Sequence, residues 1–150
     1  MLRYLTRRPR SVKEIHDYLL GKKATDEIIL QIIKKLHEQK FQDDIEFAKW
    51  WIEQRSKIKP KSDLIIRIEL AQKGIAKEVV ATLLHRDRDD KVSDLVKAKQ
   101  IAEKKLRTLH ALPKREQYQR LGAFLSRRGF DFETSKRAID DILERGYNRD

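Results

Sequence analysis

Apolar residues return along this chain at intervals of three and four, the period of one helix face, and the two-residue alternation of a strand is missing. The clearest case is the stretch from Pro60 to Leu84. Pro60 does not continue a preceding helix, and Ser62 is a good N-cap, so a helix is predicted from about Ser62 to Lys73. Gly74 then falls where a left-handed residue closes a helix, and a second helix carries Val79, Val80, Leu83 and Leu84 on one side. The first of these helices has two apolar rows. Ile66 and Leu70 lie on one, and Leu64, Ile68 and Ala71 on the other. A helix apolar nearly all round is normally covered on both sides, so this one is expected in the middle of the molecule with structure packed before and after it.

The pattern repeats. Pro9-Arg10-Ser11 recurs 51 positions on as Pro60-Lys61-Ser62, and the same shift takes Ile15 to Ile66, Leu19 to Leu70, Ile29 to Val80 and Ile33 to Leu84 without a gap. A looser third copy begins at Pro113, carries Tyr118, Leu121, Phe124 and Leu125, turns at Arg128-Gly129, and ends in a helix lined by Ala138, Ile139, Ile142 and Leu143. Each copy has a leading helix: Asp44 to about Ser56 for the second, Val92 to about His110 for the third, and only a stub from Leu2 to Arg8 for the first. The predicted fold is therefore all-α, an elongated, curved, solenoid-like array of three tandem three-helix repeats with a truncated first leading helix. The repeats are assigned to residues 1–40, 41–88 and 89–150. The charged run from His85 to Lys91 reads as a frayed helix end plus a solvated turn rather than a hinge.

Composition sharpens this picture. Of 150 residues, 39% are charged against roughly 25% in an average domain, which leaves a thin core and a wet surface. The net charge of +11 favours an anionic partner: nucleic acid, an acidic protein face or an anionic membrane, the last disfavoured because the basic residues do not line one long amphipathic helix. Without cysteine there is no disulfide or thiolate chemistry. The start, MLRYLTRRPR, lacks the apolar core of a signal peptide, and no apolar run approaches the roughly 20 residues of a membrane span, so a soluble cytoplasmic protein is expected. A monomer is expected as well.

No residue constellation points to catalysis, a metal or another cofactor. His16, His37, His85 and His110 have no ligand spacing and read as surface or helix-end residues. The five glycines form no phosphate loop. Asp43-Asp44 resembles half a metal site, but capping of the following helix explains it better. Ser11 and Glu14 fit a capping box.

The basic clusters carry more. Arg3, Arg7, Arg8, Arg10 and Lys13 crowd the N-terminus; Arg55, Lys57, Lys59, Lys61 and Arg67 crowd the first junction of the second repeat; Arg127 and Arg128 follow in the third. The clusters at 7–10 and 55–61 both sit at the turn before a repeat's second helix. Equivalent turns of a regular array fall on one edge, so a basic stripe is expected there. Trp51 belongs with Phe47, Ala48 and Ile52 on a core stripe, whereas Trp50 points away and is either an ordinary exposed aromatic or an anchor for a partner.

The pieces LRYLTRRPRS at 2–11, FQDDIEFAKWWIEQR at 41–55, IELAQKGI at 68–75 and FLSRRGF at 124–130 resemble the RecX family of regulators of the RecA recombinase, in order and over nearly the whole chain. In the first repeat Gly21 lies two residues ahead of the family's usual site, which Lys23 occupies, leaving a rearranged turn open. The resemblance implies a non-enzymatic modulator, usually an inhibitor, lying in the groove of the RecA–single-stranded DNA filament. It implies lowered ATPase, strand-exchange and co-protease activities in recombination and the SOS response. The partners expected are the RecA filament, single-stranded DNA and, secondarily, double-stranded DNA, with no membrane. The contact set expected is Arg3, Arg7, Arg8, Arg10, Trp50, Arg55, Lys57, Lys59, Lys61, Arg67, Arg127 and Arg128. A general nucleic-acid-binding module acting without RecA is the alternative.

Overall fold

The computed structural model describes residues 2–84 and 90–147, and among them every regular element is a helix. In order these are α1 (Leu2–Leu5), α2 (Val12–Gly21), α3 (Asp26–Glu38), α4 (Asp44–Lys57), α5 (Asp63–Gln72), α6 (Lys77–Leu84), α7 (Asp90–Leu106), α8 (Lys114–Arg127) and α9 (Phe132–Tyr147). They form three successive trios, with α1 as the four-residue stub of the first. Apart from the first residues of α7, the charged run 85–91 lies outside the described residues, as does His85.

Local chemistry sets where the helices start. The Ser11 hydroxyl accepts from Glu14 N at 3.2 Å, Thr25 from Ile28 N at 3.5 Å, and Ser62 from Ile65 N at 3.4 Å. Asp131 accepts from Thr134 N at 2.7 Å at the head of α9. In α3, Asp26 and Glu27 occupy the first turn and Lys35 and His37 the last, matching the helix dipole at both ends.

The middle helix of each trio ends in the same way. Lys23 N, Gly74 N and Gly129 N donate to Leu20, Ala71 and Ser126 O; the next amides, of Ala24, Ile75 and Phe130, reach back to Leu19, Leu70 and Leu125 O. The three closing residues have φ of +62° (Lys23), +78° (Gly74) and +86° (Gly129). The first turn is therefore not rearranged: Lys23 itself takes the left-handed conformation. It is exposed, so its side chain has room, and the cost is the roughly 1–2 kcal/mol of a non-glycine residue there.

The chain divides into two compact units, Met1–Gln54 with Arg67–Leu83, and Arg55–Ile66 with Leu84–Asp150. In the first, Ile15, Leu19, Ile29 and Leu36 form a buried cluster covered by Leu5, Tyr18, Ala24, Ile32 and Ile33. In the second, Ala98, Ile101, Ala102, Leu109, Leu121, Leu125, Phe130, Ala138, Ile139 and Ile142 form the core. Gln117 ties the turn ahead of α8 to that core, its side-chain amide donating to Leu112 O at 2.9 Å and Leu109 O at 3.2 Å.

One expectation fails on α5. Ile66 and Leu70 are fully buried, but the second row stays in water, with Leu64 60% and Ile68 45% exposed and Ala71 exposed as well. Two apolar rows did not mean two covered faces, because periodicity reports which residues share a side of the helix and not what lies opposite.

Candidate functional site

Two joints bind successive repeats, and each lies inside one compact unit. At both, the head of the earlier repeat's middle helix is covered by an aspartate from the next repeat and approached by that repeat's glycine turn.

At the first joint Ser11 is fully buried. Val12 N, the first amide of α2, donates to Asp44 Oδ1 at 2.9 Å, and Gln42 Nε2 donates to the same oxygen at 2.8 Å. Asp43 caps its own helix instead, accepting from Ile45 N at 2.7 Å and Glu46 N at 3.3 Å. The two adjacent carboxylates thus cap two different helices, and no group of metal-ligating side chains occurs among the described residues. Burial pushes the Asp44 carboxyl above its ordinary value, against the hydrogen bond from Val12. Glu14 sits beside this point with its side chain 11% exposed. Arg8 grips it with two bonds of 2.8 and 2.9 Å, and Lys73 Nζ lies 2.7 Å away. Burial raises the Glu14 pKa, but the bonds from Arg8 and Lys73 and their charges together hold it below the ordinary value. Only half of the capping box therefore forms: Ser11 accepts from Glu14 N, while the Glu14 carboxylate is taken by the two cations.

At the second joint Ser62 is buried, and Asp63 N donates to Asp94 Oδ1 at 3.0 Å and Oδ2 at 3.2 Å. Asp63 is itself buried and its carboxylate is paired with Lys97. Burial raises the Asp94 carboxyl to about 6, with the neighbouring Asp63 charge adding to it and the Asp63 N–H and Lys97 opposing. Arg128 donates to Pro60 O at 3.1 Å and its backbone carbonyl accepts from Ser62 N at 3.1 Å.

The expected contact residues separate on this frame. Arg3, Arg7, Lys57, Lys59 and Arg127 are exposed, Lys57 with a partner of its own. Arg55, Lys61 and Arg67 are half-buried with partners of their own. Arg8 and Arg128 are built into the first and second joints. Arg10 donates from Nε to Tyr4 O at 3.2 Å and lies 3.9 Å over the Tyr4 ring. Trp50 is not an isolated surface aromatic: it is half-buried, 6.2 Å from Phe47 and 6.1 Å from Trp51, with the Arg8 guanidinium 5.7 Å from its ring centre. Trp51 is half-buried too, donating from Nε1 to Glu69 at 2.9 Å. Sequence reading missed Asp44, Asp94 and Lys97 as joint residues. The signal was present only as an aspartate near the start of each leading helix.

These features define a class first: an all-helical protein of tandem trihelical repeats, joined at buried helix caps and carrying a surplus of cations. Three family domains match in series: RecX, first three-helix domain, over residues 1–36; RecX, second three-helix domain, over 43–84; and RecX, third three-helix domain, over 93–139. The chain belongs to the RecX family. "Regulatory protein RecX" of Bacillus pumilus is 34% identical over 97% of this chain and 53% of its own length. Its namesake in Clostridium tetani is 30% identical over 95% of this chain and 65% of its own length. The chain spans about half the length of most of the curated relatives it matches. A crystal structure of RecX from Lactobacillus salivarius superposes with a TM-score of 0.73 at 22% identity, covering 94% of this chain and 90% of that one. A second, of regulatory protein RecX, gives 0.74 at 27% identity, covering 93% and 69%.

Proposed function

We propose that this protein is a non-enzymatic regulator of RecA, acting as an inhibitor. It binds in the groove of the RecA–single-stranded DNA filament and lowers its ATPase, strand-exchange and co-protease activities in recombination and the SOS response, in the cytoplasm and as a monomer. The observation that carries this reading is the serial match of three RecX three-helix domains. The physical support is the +11 charge and the exposed cations at the repeat turns. Arg3, Arg7, Lys57, Lys59 and Arg127 contact the anionic filament; Arg8 and Arg128 act by holding the joints. Several weak contacts made together raise avidity without one strong site, and they weaken with salt. The test is RecA ATPase on single-stranded DNA with increasing protein. A fall in rate at stoichiometric amounts is expected, and an unchanged rate removes the proposal. The same cations support the alternative of DNA binding without RecA; a gel shift on naked DNA at physiological salt separates the two.

A further inference from the structure

The first repeat carries a column of stacked groups that the joints do not use. The rings of Tyr4 and Tyr18 lie 4.1 Å apart and 11° from parallel. The Arg10 guanidinium covers the outer face of Tyr4 at 3.9 Å, and Lys22 Nζ lies 5.8 Å from the centre of Tyr18. The two ends differ. At the Arg10 end the guanidinium is fixed by its bond to Tyr4 O, and the Tyr4 hydroxyl donates to Glu14 O at 3.3 Å. At the Tyr18 end the cover is a single exposed lysine at the outer limit of a cation–π distance.

The repeat does not require a ring at this position. The 51-residue shift puts Glu69 where the first repeat has Tyr18, and Glu69 accepts a hydrogen bond from Trp51 instead. The chain around both tyrosines is rich in cations. Arg3, Arg7, Lys22 and Lys23 are exposed, while the two acidic side chains of α2 are already engaged, Asp17 by Lys13 and Glu14 by Arg8 and Lys73. An aromatic face held flat from behind, with flexible cations beside it, matches the chemistry of a single strand: bases stack on the ring and phosphates take the charges.

We propose that Tyr18, backed by Tyr4 and covered by Lys22, with Arg3 and Arg7 close to Tyr4 in the chain, is a base-stacking site for single-stranded nucleic acid. Lys22 swings from the ring to a phosphate when a base takes its place. This deepens the filament reading, resting on its nucleic-acid side only.

The test is fluorescence anisotropy with a labelled oligothymidylate of about 12 nucleotides, within the usual span of such sites, against an abasic strand of equal length. The unaltered protein is expected to bind the thymidylate at least about 5-fold more tightly, the lower end of one stacked base. Tyr18→Leu, its fold checked by circular dichroism, loses that preference and keeps abasic binding; Tyr18→Phe retains it; Lys22→Ala weakens both strands and lowers the salt slope. Equal binding of the two strands by the unaltered protein overturns the proposal without any variant. So does a preference that survives Tyr18→Leu. RecA ATPase measured in parallel keeps the two readings apart: a stacking preference without an effect on ATPase leaves this site standing and removes the filament reading, and the reverse result does the opposite.

Discussion

The two joints solve one problem with different materials. Both cover the first amide of a middle helix with an aspartate from the following repeat, Asp44 in one and Asp94 in the other. The first then relies on a triad of charges, Arg8, Glu14 and Lys73, beside two half-buried tryptophans. The second has charges of its own, Lys97 with Asp63 and Asp94, and in addition brings backbone hard against side chain. A Cβ placed on Gly129 would overlap Ile65 Cγ1 outright and lie 2.7 Å from Ser62 Oγ, whereas one on Gly74 would meet only the Lys13 stem, at 2.8 Å from its Cβ. The tighter steric fit tolerates less change. The second joint should therefore be the more brittle of the two.

The sharpest way to break the comparison is to add a methyl at each turn. Gly129→Ala forces an overlap with Ile65 and strains a left-handed backbone, and a loss of about 3 kcal/mol or more is expected in urea denaturation. Gly74→Ala carries the same backbone strain with a smaller overlap, against Lys13 Cβ, and about 1–2 kcal/mol is expected. Equal losses would mean that the joints are equally rigid.

Next come the capping aspartates. Asp94→Ala leaves the Asp63 amide without its acceptor and is expected to cost about 1–3 kcal/mol. Asp94→Asn keeps an acceptor and removes a charge that burial disfavours, so it is expected to match or exceed the native stability at neutral pH. The sign of the pH effect follows from the raised value. The folded state holds a proton on Asp94 up to about 6, whereas the unfolded chain releases it near 3.8. Between these values the folded state binds more protons, so this group's contribution grows as pH falls from about 6 towards 4 and is absent in Asp94→Asn. Glu14 runs the other way: its lowered value gives stability present above the ordinary carboxylate range and lost on acidification through the folded value. Denaturation curves of the native protein and Asp94→Asn from pH 4 to 7 (a range set by these carboxylates, roughly) check the difference. Parallel curves would remove Asp94 as its source.

The smallest expected effect is at the turn that belongs to neither joint. Lys23→Gly relieves a left-handed lysine but loosens the unfolded chain, so a net gain of about 0.5 kcal/mol is expected in the same assay.

The helices themselves were legible from local chemistry. Ser11 and Ser62 as caps and Gly74 and Gly129 as left-handed stops depend on residues within a few positions of one another, and the 51-residue recurrence repeats those local signals. The site was only partly legible. Basic residues at the turns could be found in the sequence, but Arg8 and Arg128 could not be told from Arg7 and Arg127. The first pair serves the joints and the second is exposed, although each pair is adjacent and chemically identical.

What the amino-acid sequence determined by itself, then, was where the capped, glycine-stopped helices begin and end and how often the trio recurs, because capping, backbone strain and helical period act over one or two turns. The leading helices, expected over 2–8 and 92–110, run instead over Leu2–Leu5 and Asp90–Leu106. Only the tertiary structure decided that Leu64 and Ile68 remain in water, that Asp44 and Asp94 cap helices of the preceding repeat, and that Glu14 meets a lysine 59 positions away. Burial and ion pairing depend on what the fold carries to a given point, and that partner is remote in the chain.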